Sequence, residues 1–180
     1  MAGGWAQPGP FRAGRARAKS GMMAENPDSC AGTFRARIAL PSLAATQELG
    51  AAIAHGLEPG NAVALWGDLG AGKTTLARAI LTALGVTGEV PSPTFTLVQS
   101  YETPTLLVSH YDLYRLKSPR EMAELGFEDA LDQGAVLVEW PERAPEALPP
   151  DALHMRLSLD DGIRSARIAG PARWAEHLHV

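Results

Sequence analysis

The stretch Gly67–Thr74, GDLGAGKT, matches the pattern G-x-x-x-x-G-K-[ST] without deviation. Glycines in this pattern let the backbone curl so that successive N–H groups converge on phosphate oxygens, and the N-terminus of the following helix adds a partial positive charge. In such a loop Lys73 reaches the β- and γ-phosphates, and the hydroxyl of Thr74 coordinates Mg²⁺. The stretch therefore predicts a nucleotide-binding loop made of Gly67, Asp68, Leu69, Gly70, Ala71, Gly72, Lys73 and Thr74.

The residues on both sides of the loop predict the strand and the helix that this pattern requires. Ala62–Trp66 is a short continuous apolar run, which is typical of a buried strand. A helix is predicted to begin near Lys73 and to end at Gly85, which serves as its C′ glycine. Because a glycine-rich turn with an incidental lysine would not need these neighbours, the context favours the nucleotide-binding interpretation.

Hydropathy and turn signals place further elements along the chain. The predicted strands are 34–40 at a sheet edge, 95–101 and 105–111 as a hairpin, the buried run 135–138, and the pair 153–159 and 163–169. A helix capped by Ser42 is predicted to bury Leu43, Leu49, Ile53 and Leu57, and a short one covers 172–178. Another helix is predicted to start at Ser118–Glu121, with Ser118 as N-cap, Pro119 at N1 and Glu121 at N3. Together they predict an α/β fold, a three-layer P-loop NTPase-type sheet with an inserted antiparallel hairpin.

Length and composition exclude several classes of protein. The chain has 180 residues, of which 46% are hydrophobic and 20% charged, as expected for one globular domain. A lone cysteine, Cys30, excludes a disulfide scaffold and makes the reducing cytoplasm the default location. No run approaches 18 consecutive apolar residues, so the sequence predicts no membrane span.

Residues 1–33 differ in composition from the rest. They contain no Leu, Ile or Val, so we expect a disordered tail, followed by one P-loop ATPase domain at 34–180. A transit peptide is the weaker alternative, and Met22 or Met23 is a possible later start. The tail has a net charge of +2 and the body, with 12 basic and 18 acidic residues, −6. An acidic body argues against non-specific nucleic-acid binding.

Two carboxylates follow apolar strands. Asp112 ends the strand around Leu106–Tyr111, and Glu139 follows Val136–Val138. Because ligands collect at the carboxyl ends of parallel strands, both are candidates for the metal and for positioning the nucleophile. The spacing leaves open which of them contacts the metal.

Other polar residues near these strands allow two interpretations. Ser92, Thr94 and Thr96 form a Pro-flanked segment that either senses the γ-phosphate and metal, with Thr94 preferred, or only makes a turn. His110 is more often a packed, hydrogen-bonded histidine than a base. Arg115 is either a phosphate or partner contact or an ordinary surface residue, and Trp140 lies either beside the site or in the core.

Five motifs in order resemble the TsaE (YjeE) family. They are Gly67–Thr75 (GDLGAGKTT), Val90–Thr96 (VPSPTFT), His110–Leu116 (HYDLYRL), Leu125–Asp129 (LGFED) and Val138–Glu142 (VEWPE), and the resemblance covers about 38–145. It implies a small bacterial ATPase that acts with TsaB and TsaD, which transfer a threonylcarbamoyl group to the adenosine beside the tRNA anticodon. It also implies that hydrolysis resets the complex between turnovers.

The resemblance assigns roles to individual residues. Lys73 and Thr74 would hold ATP and Mg²⁺, Asp112 and Glu139 would be the catalytic acids, and Thr75 and Trp140 would join the nucleotide-binding set. ATP is favoured over GTP because the sequence has no N-K-x-D run for guanine.

Three arginines, Arg78, Arg115 and Arg120, lie between the loop and Glu139. Their scarcity favours a weak ATPase that a partner completes. We expect tRNA to be held mainly by other subunits, with Arg115 or Lys117 helping. The alternatives are a small-molecule or nucleotide kinase, and a nucleotide-gated binding module without meaningful turnover.

Overall fold

The computed structural model describes residues 34–160 and 162–178. Seven strands form one sheet in the order β1-β7-β6-β2-β5-β4-β3. They are β1 (Phe34–Leu40), β2 (Ala62–Trp66), β3 (Val98–Glu102), β4 (Leu107–Asp112), β5 (Gly134–Glu139), β6 (Leu153–Asp160) and β7 (Ile163–Gly170). The helices are α1 (Leu43–His55), α2 (Lys73–Ala83), α3 (Glu121–Glu124), α4 (Phe127–Gln133) and α5 (Trp174–Leu178). Two short 3₁₀ turns, Pro141–Arg143 and Pro145–Ala147, follow β5.

The four central strands are parallel and the outer ones antiparallel. β6, β2, β5 and β4 run in the same direction, whereas β7, β1 and β3 run against their neighbours. The carboxyl ends of β2, β5 and β4 therefore meet at one edge of the sheet, where the loop after β2 begins α2. This is the expected α/β fold, with the β3–β4 hairpin at one end of the sheet and a β6–β7 hairpin toward the other.

Alternate residues of the central strands enter two separate cores. Val63 and Leu65 of β2 pack in a cluster with α1, α2 and α5, whereas Ala62 faces a second cluster that includes Met122, Phe127 and neighbouring residues. Since side chains of a strand alternate between the faces, the two clusters lie on opposite sides of the sheet. The result is the predicted arrangement of three layers.

Several predicted boundaries and contacts are wrong. Leu43, predicted to be buried by the helix that Ser42 caps, is 60% exposed. It is the first residue of α1, and the buried residues of this helix begin at Thr46. The first hairpin strand begins at Val98, since residues 93–96 form turns and Leu97 has φ of 65°. The helix predicted from Ser118 begins only at Glu121, and its N-cap residue is Arg120.

Some expectations concern residues that the structure does not describe. The predicted tail, 1–33, lies outside the described residues. Within 34–160 and 162–178, no helix is long and apolar enough to cross a membrane.

Candidate functional site

The loop between β2 and α2 adopts a conformation that depends on glycine. Gly67, Gly70 and Gly72 all have positive φ, of 132°, 79° and 109°. A Cβ on Gly67 would lie 2.3 Å from the carbonyl oxygen of Leu157, so a side chain there would require the β6 backbone to move. Gly72 is the left-handed N-cap of α2, which places the loop at the free N–H groups of that helix.

Lys73 lies inside the curl of the loop. It is 5% exposed, and its Nζ donates hydrogen bonds to the carbonyl oxygens of Gly67 and Asp68. The same ammonium stands 3.7 Å from the centre of the Trp140 ring. Burial lowers the pKa of Lys73, although the carboxylates of Glu139, Glu142, Asp112 and Asp68 oppose that shift. A phosphate group would supply the anion that this desolvated ammonium favours.

Glu139 connects the loop with the neighbouring strand. Its Oε2 accepts a hydrogen bond of 2.9 Å from the hydroxyl of Thr74, and its Oε1 accepts one of 2.9 Å from Nε2 of His110. Glu139 and His110 are 2% and 0% exposed. Both carboxylate oxygens are therefore held in fixed positions beside the N-terminus of α2. The packed, hydrogen-bonded interpretation of His110 agrees with this geometry.

Asp112 holds the Pro-flanked segment that the sequence singled out. The last residues of β4 and β5 are paired in register, so Asp112 lies directly beside Glu139. Oδ2 of Asp112 accepts hydrogen bonds from the hydroxyls of Thr94 and Ser92, and Oδ1 accepts one of 3.0 Å from the amide of Tyr114. Thr94 is thus joined to the predicted metal acid, whereas no hydrogen bond described for Thr96 reaches the site.

A cavity of about 280 Å³ brings these groups together at the carboxyl edge of the sheet. It is lined by Leu69, Gly70, Gly72, Lys73, Thr74, Thr75, Thr94, Asp112, Tyr114, Glu139, Trp140 and Arg164. Of the predicted loop residues, Gly67, Asp68 and Ala71 support the loop without lining the cavity: two supply acceptors for Lys73, and Ala71 is buried.

Arg164 is a site residue that the sequence did not reveal. It belongs to β7, its Nε donates to the carbonyl oxygen of Ala71 over 2.8 Å, and its Nη2 lies 3.5 Å from that of Gly70. The residue lies 90 positions beyond the loop motif and belongs to no local pattern, so only the pairing of β6 with β7 brings it there. Arg115, by contrast, lies against the ring of Phe95 and does not line the cavity.

The donor atoms fit a magnesium–nucleotide complex. Hydroxyl and carboxylate oxygens from Thr74, Thr94, Asp112 and Glu139 face one cavity, and oxygen donors are what Mg²⁺ prefers. The described residues contain no cluster of three or more His, Cys, Asp and Glu that could hold a metal. A magnesium ion here would therefore depend on phosphate oxygens and water for its remaining ligands, which is its usual mode with nucleotides.

Comparisons with known proteins identify close relatives of the chain. The family model "Threonylcarbamoyl adenosine biosynthesis protein TsaE" matches residues 40–167. The tRNA threonylcarbamoyladenosine biosynthesis protein TsaE of Rickettsia felis is 44% identical over 117 residues, covering 64% of this chain and 68% of that protein. The protein of the same name in Haemophilus influenzae is 39% identical over 117 residues, covering 64% and 74%.

A solved structure agrees with these matches. The crystal structure of YdiB from Bacillus subtilis aligns with a TM-score of 0.68 and 28% identity, and the alignment covers 81% of this chain and 93% of that one. The shared fold thus includes nearly all of the neighbour's chain.

Proposed function

The chain belongs to the TsaE family of threonylcarbamoyl adenosine biosynthesis proteins, and from this premise we propose that it is a Mg²⁺-dependent ATPase that serves threonylcarbamoyladenosine modification of tRNA. The observation that carries the proposal is the cavity at the N-terminus of α2. It joins Lys73 and Thr74 of the loop with the paired carboxylates of Asp112 and Glu139. These are the parts that phosphoryl transfer to water requires: a phosphate cradle, a metal-binding hydroxyl, and acids for the metal and the nucleophile.

The loop and Lys73 bind the phosphates. Backbone N–H groups of the loop and of the first turn of α2 donate hydrogen bonds to phosphate oxygens. Lys73, which donates to the Gly67 and Asp68 carbonyl oxygens, donates instead to the β- and γ-phosphates when the nucleotide binds. Trp140 limits where the ammonium can go, because its ring packs against Nζ. Binding therefore exchanges contacts that a desolvated lysine already makes for stronger ones with an anion.

The metal and the acids perform separate tasks. Thr74, together with Asp112 or Glu139, would hold Mg²⁺, which when bound neutralises charge on the β- and γ-phosphates. Glu139, which Thr74 and His110 hold from two sides, orients an attacking water or accepts its proton. Asp112 ties Thr94 to the site, so that loss or gain of the γ-phosphate is transmitted to residues 91–97.

We propose TsaB and TsaD as the partners, in the cytoplasm. Two large apolar side chains near the cavity, Leu69 and Phe95, are each 82% exposed, which is typical of a surface that another protein covers. Hydrolysis would then reset the assembly between rounds of modification. Arg164 adds a cation at the cavity, but its Nε already donates a hydrogen bond to the Ala71 carbonyl oxygen. A partner would therefore supply the further positive charge that stabilises the transition state of hydrolysis.

An ATPase is favoured over a small-molecule or nucleotide kinase. Kinases of that kind usually close an arginine-rich lid over the phosphates. Among the described residues, Arg164 is the one arginine that lines the cavity. A binding module without turnover is disfavoured because Glu139 and Asp112 are both held at the cavity.

Substitution Lys73→Ala tests the nucleotide site. We expect ATP affinity to fall about ten- to a hundredfold, because charged hydrogen bonds to phosphate are lost, and hydrolysis to vanish. Isothermal titration and an ATPase assay measure the two effects, and Lys117→Ala, an exposed lysine outside the cavity, is the matched control. Unchanged ATP affinity in Lys73→Ala would refute the nucleotide site.

The partner proposal has a separate test. ATP hydrolysis is measured for the full chain alone and with purified TsaB and TsaD. We expect slow turnover alone and faster turnover in the assembly, with ADP and phosphate formed in equal amounts. Equal rates would count against partner activation, and a phosphorylated acceptor would establish a kinase instead.

A further inference from the structure

His110 of β4 is a fully buried histidine whose side chain contacts the candidate site from behind. It is 0% exposed, and it shares a face of β4 with Val108, which belongs to the buried cluster that α1 and α2 cover. Its Nε2 lies 2.9 Å from Oε1 of Glu139. Because a carboxylate only accepts hydrogen bonds, Nε2 carries the hydrogen and donates it. The ring is thus anchored in the core and directed at the carboxylate that ends the neighbouring strand.

The other ring nitrogen of His110 is enclosed. Nδ1 is buried and makes no hydrogen bond with any residue that the structure describes. Buried polar atoms are paired in the large majority of cases, so this exception needs a reason. No described group is placed to take a proton from Nδ1 or to give it one. The arrangement therefore fits a residue that holds Glu139 by one hydrogen bond, and does not fit a proton relay.

Glu139 is fixed at both of its oxygens. The hydroxyl of Thr74, in the first turn of α2, donates to Oε2 over 2.9 Å. The last torsion of a glutamate has only a broad preference, so this hydrogen bond alone would leave the carboxylate free to turn. The hydrogen bond from His110 to Oε1 removes that freedom. Without it, Oε1 could turn toward another donor in the cavity.

Lys73 is the donor that competes for this oxygen. Burial lowers the pKa of Lys73, and Glu139 opposes that shift more than any other carboxylate does. Among the ion pairs of the described residues, however, none joins Lys73 to Glu139, and Nζ donates to two carbonyl oxygens of the loop instead. Opposite charges on nearly buried side chains that line one cavity attract each other strongly. The hydrogen bonds at Oε1 and Oε2 oppose this attraction.

An ion pair between Lys73 and Glu139 would impair the tasks of both residues. The ammonium would have to break the pair before it could bind a phosphate, and breaking a buried ion pair is costly. The carboxylate would also lose the orientation in which it can position an attacking water. Nucleotide binding and hydrolysis therefore both require that these two charges stay apart.

We propose that His110 is a positioning residue, which holds Glu139 away from Lys73 and so keeps the ammonium available to the phosphates of the nucleotide. The inference rests on the proposed function, which supplies the nucleotide. His110 itself does not line the cavity. ATP affinity would thus depend on a residue that contacts neither the nucleotide nor the loop.

The test compares two amide variants of the full chain that differ in reach. In His110→Gln the amide nitrogen takes the position of Nε2 and can donate to Glu139, whereas in His110→Asn it takes the position of Nδ1 and cannot. ATP is titrated calorimetrically in EDTA, so that affinity is measured without magnesium or turnover. We expect His110→Asn to bind ATP about five- to tenfold more weakly, and His110→Gln to stay within about threefold of the wild type. His154→Asn, at a buried histidine outside the cavity, is the control and should bind ATP as the wild type does.

A second comparison separates positioning from a general loss of packing. Glu139→Gln removes the charge that Lys73 attracts, so adding His110→Asn to it should change ATP affinity by less than about twofold. Thermal unfolding of each variant establishes that folded proteins are compared. If His110→Asn does not fold, His110→Phe takes its place, because it keeps an aromatic ring and removes the donor.

Three outcomes would overturn the inference. They are wild-type ATP affinity in the folded His110→Asn variant, equal losses of affinity in His110→Gln and His110→Asn, and a loss of the same size with and without the charge of Glu139. Each of them would leave the nucleotide site standing. A wild-type chain that does not bind ATP would instead refute the nucleotide site and this inference together, so the two failures are distinguishable.

Discussion

Trp140 is held in a backbone conformation that non-glycine residues rarely adopt. Its φ is 57°, directly after the buried strand β5. Its ring contacts Nζ of Lys73 and the ring of Tyr114, whose centre lies 4.9 Å away. Strained residues of this kind persist where the surrounding structure fixes them, and they cluster at functional sites. The turn at Trp140 directs the chain away from Glu139 and keeps the indole ring against the ammonium group of Lys73.

Asp112→Asn separates metal-dependent turnover from nucleotide binding. Because asparagine keeps one carbonyl oxygen but loses the negative charge, we expect Mg²⁺-dependent kcat to fall by about tenfold or more, with a smaller change in ATP affinity. Steady-state kinetics over a magnesium series, with ATP titration, gives both quantities. Asp132→Asn, an exposed acid on α4, is the control. Wild-type turnover in Asp112→Asn would exclude its role.

Arg164→Lys tests whether β7 positions the nucleotide loop. The guanidinium reaches both the Ala71 and the Gly70 carbonyls, which a single ammonium cannot imitate with the same planar geometry. We expect KM for ATP to rise about three- to tenfold with kcat less affected, since a loosened loop binds phosphate less well. Arg173→Lys, on a half-exposed arginine paired with Asp151, should leave KM unchanged. An unaltered KM in Arg164→Lys would show that the loop needs no such support.

At the level of elements, the two serines with capping signals have different roles. Ser42 accepts a hydrogen bond of 3.1 Å from the amide of Ala45 and begins α1. Ser118 precedes a helix that starts three residues later, where Glu121 instead accepts a hydrogen bond from the amide of Lys117. A helix of four residues has very few internal hydrogen bonds for a cap to extend, so the hydrogen bonds of the preceding turn determine where it starts.

Ser42→Ala should destabilise the protein more than Ser118→Ala. Loss of the cap bond at α1 should cost about 1 kcal/mol in the free energy of unfolding. The Ser118 variant should remain within about 0.5 kcal/mol of the wild type. Urea unfolding followed by circular dichroism measures both. A Ser42→Ala variant as stable as the wild type would mean that the hydroxyl of Ser42 contributes nothing as a cap.

At the level of the whole molecule, a buried histidine of β6, His154, lies beside Trp66 of the neighbouring strand β2. Nε1 of Trp66 donates a hydrogen bond of 3.2 Å to Nδ1 of His154, which is 4% exposed. Burial lowers the pKa of His154 from 6.5 to about 4. Protonation would place an unpaired charge in this environment and remove the acceptor of Trp66.

Stability should therefore decrease in mild acid. Between pH 6.5 and about 4, His154 is protonated in the unfolded chain but not in the folded chain. The contribution of His154 to the free energy of unfolding is therefore complete above pH 6.5 and is lost as the pH falls to about 4. The loss is on the order of 3 kcal/mol across this window. Urea unfolding of the wild type and of His154→Asn, which keeps an acceptor for Trp66, measures it. Parallel pH profiles would contradict the assignment to His154.

Local signals were sufficient for much of the fold. The P-loop, the strand before it and the helix after it follow from glycine positions and a buried apolar run, which are properties of contiguous residues. The strand at 62–66 has the predicted bounds, and the strands 153–160 and 163–170 begin where predicted and end one residue later than predicted. Hydropathy alone failed at Leu43 and at 95–97, where packing and a left-handed Leu97 override the pattern.

The sequence by itself determined the phosphate loop, the α/β class and the two acids that end apolar strands, because each of these follows from the pattern of residues within a short stretch of chain. Only the tertiary structure decided that Asp112 and Glu139 are register partners, that Arg164 supports the loop, and that His110 is hydrogen-bonded to Glu139. Strand order and register place these residues together. Both are set by packing between segments far apart in the chain, for which a single sequence carries no local signal.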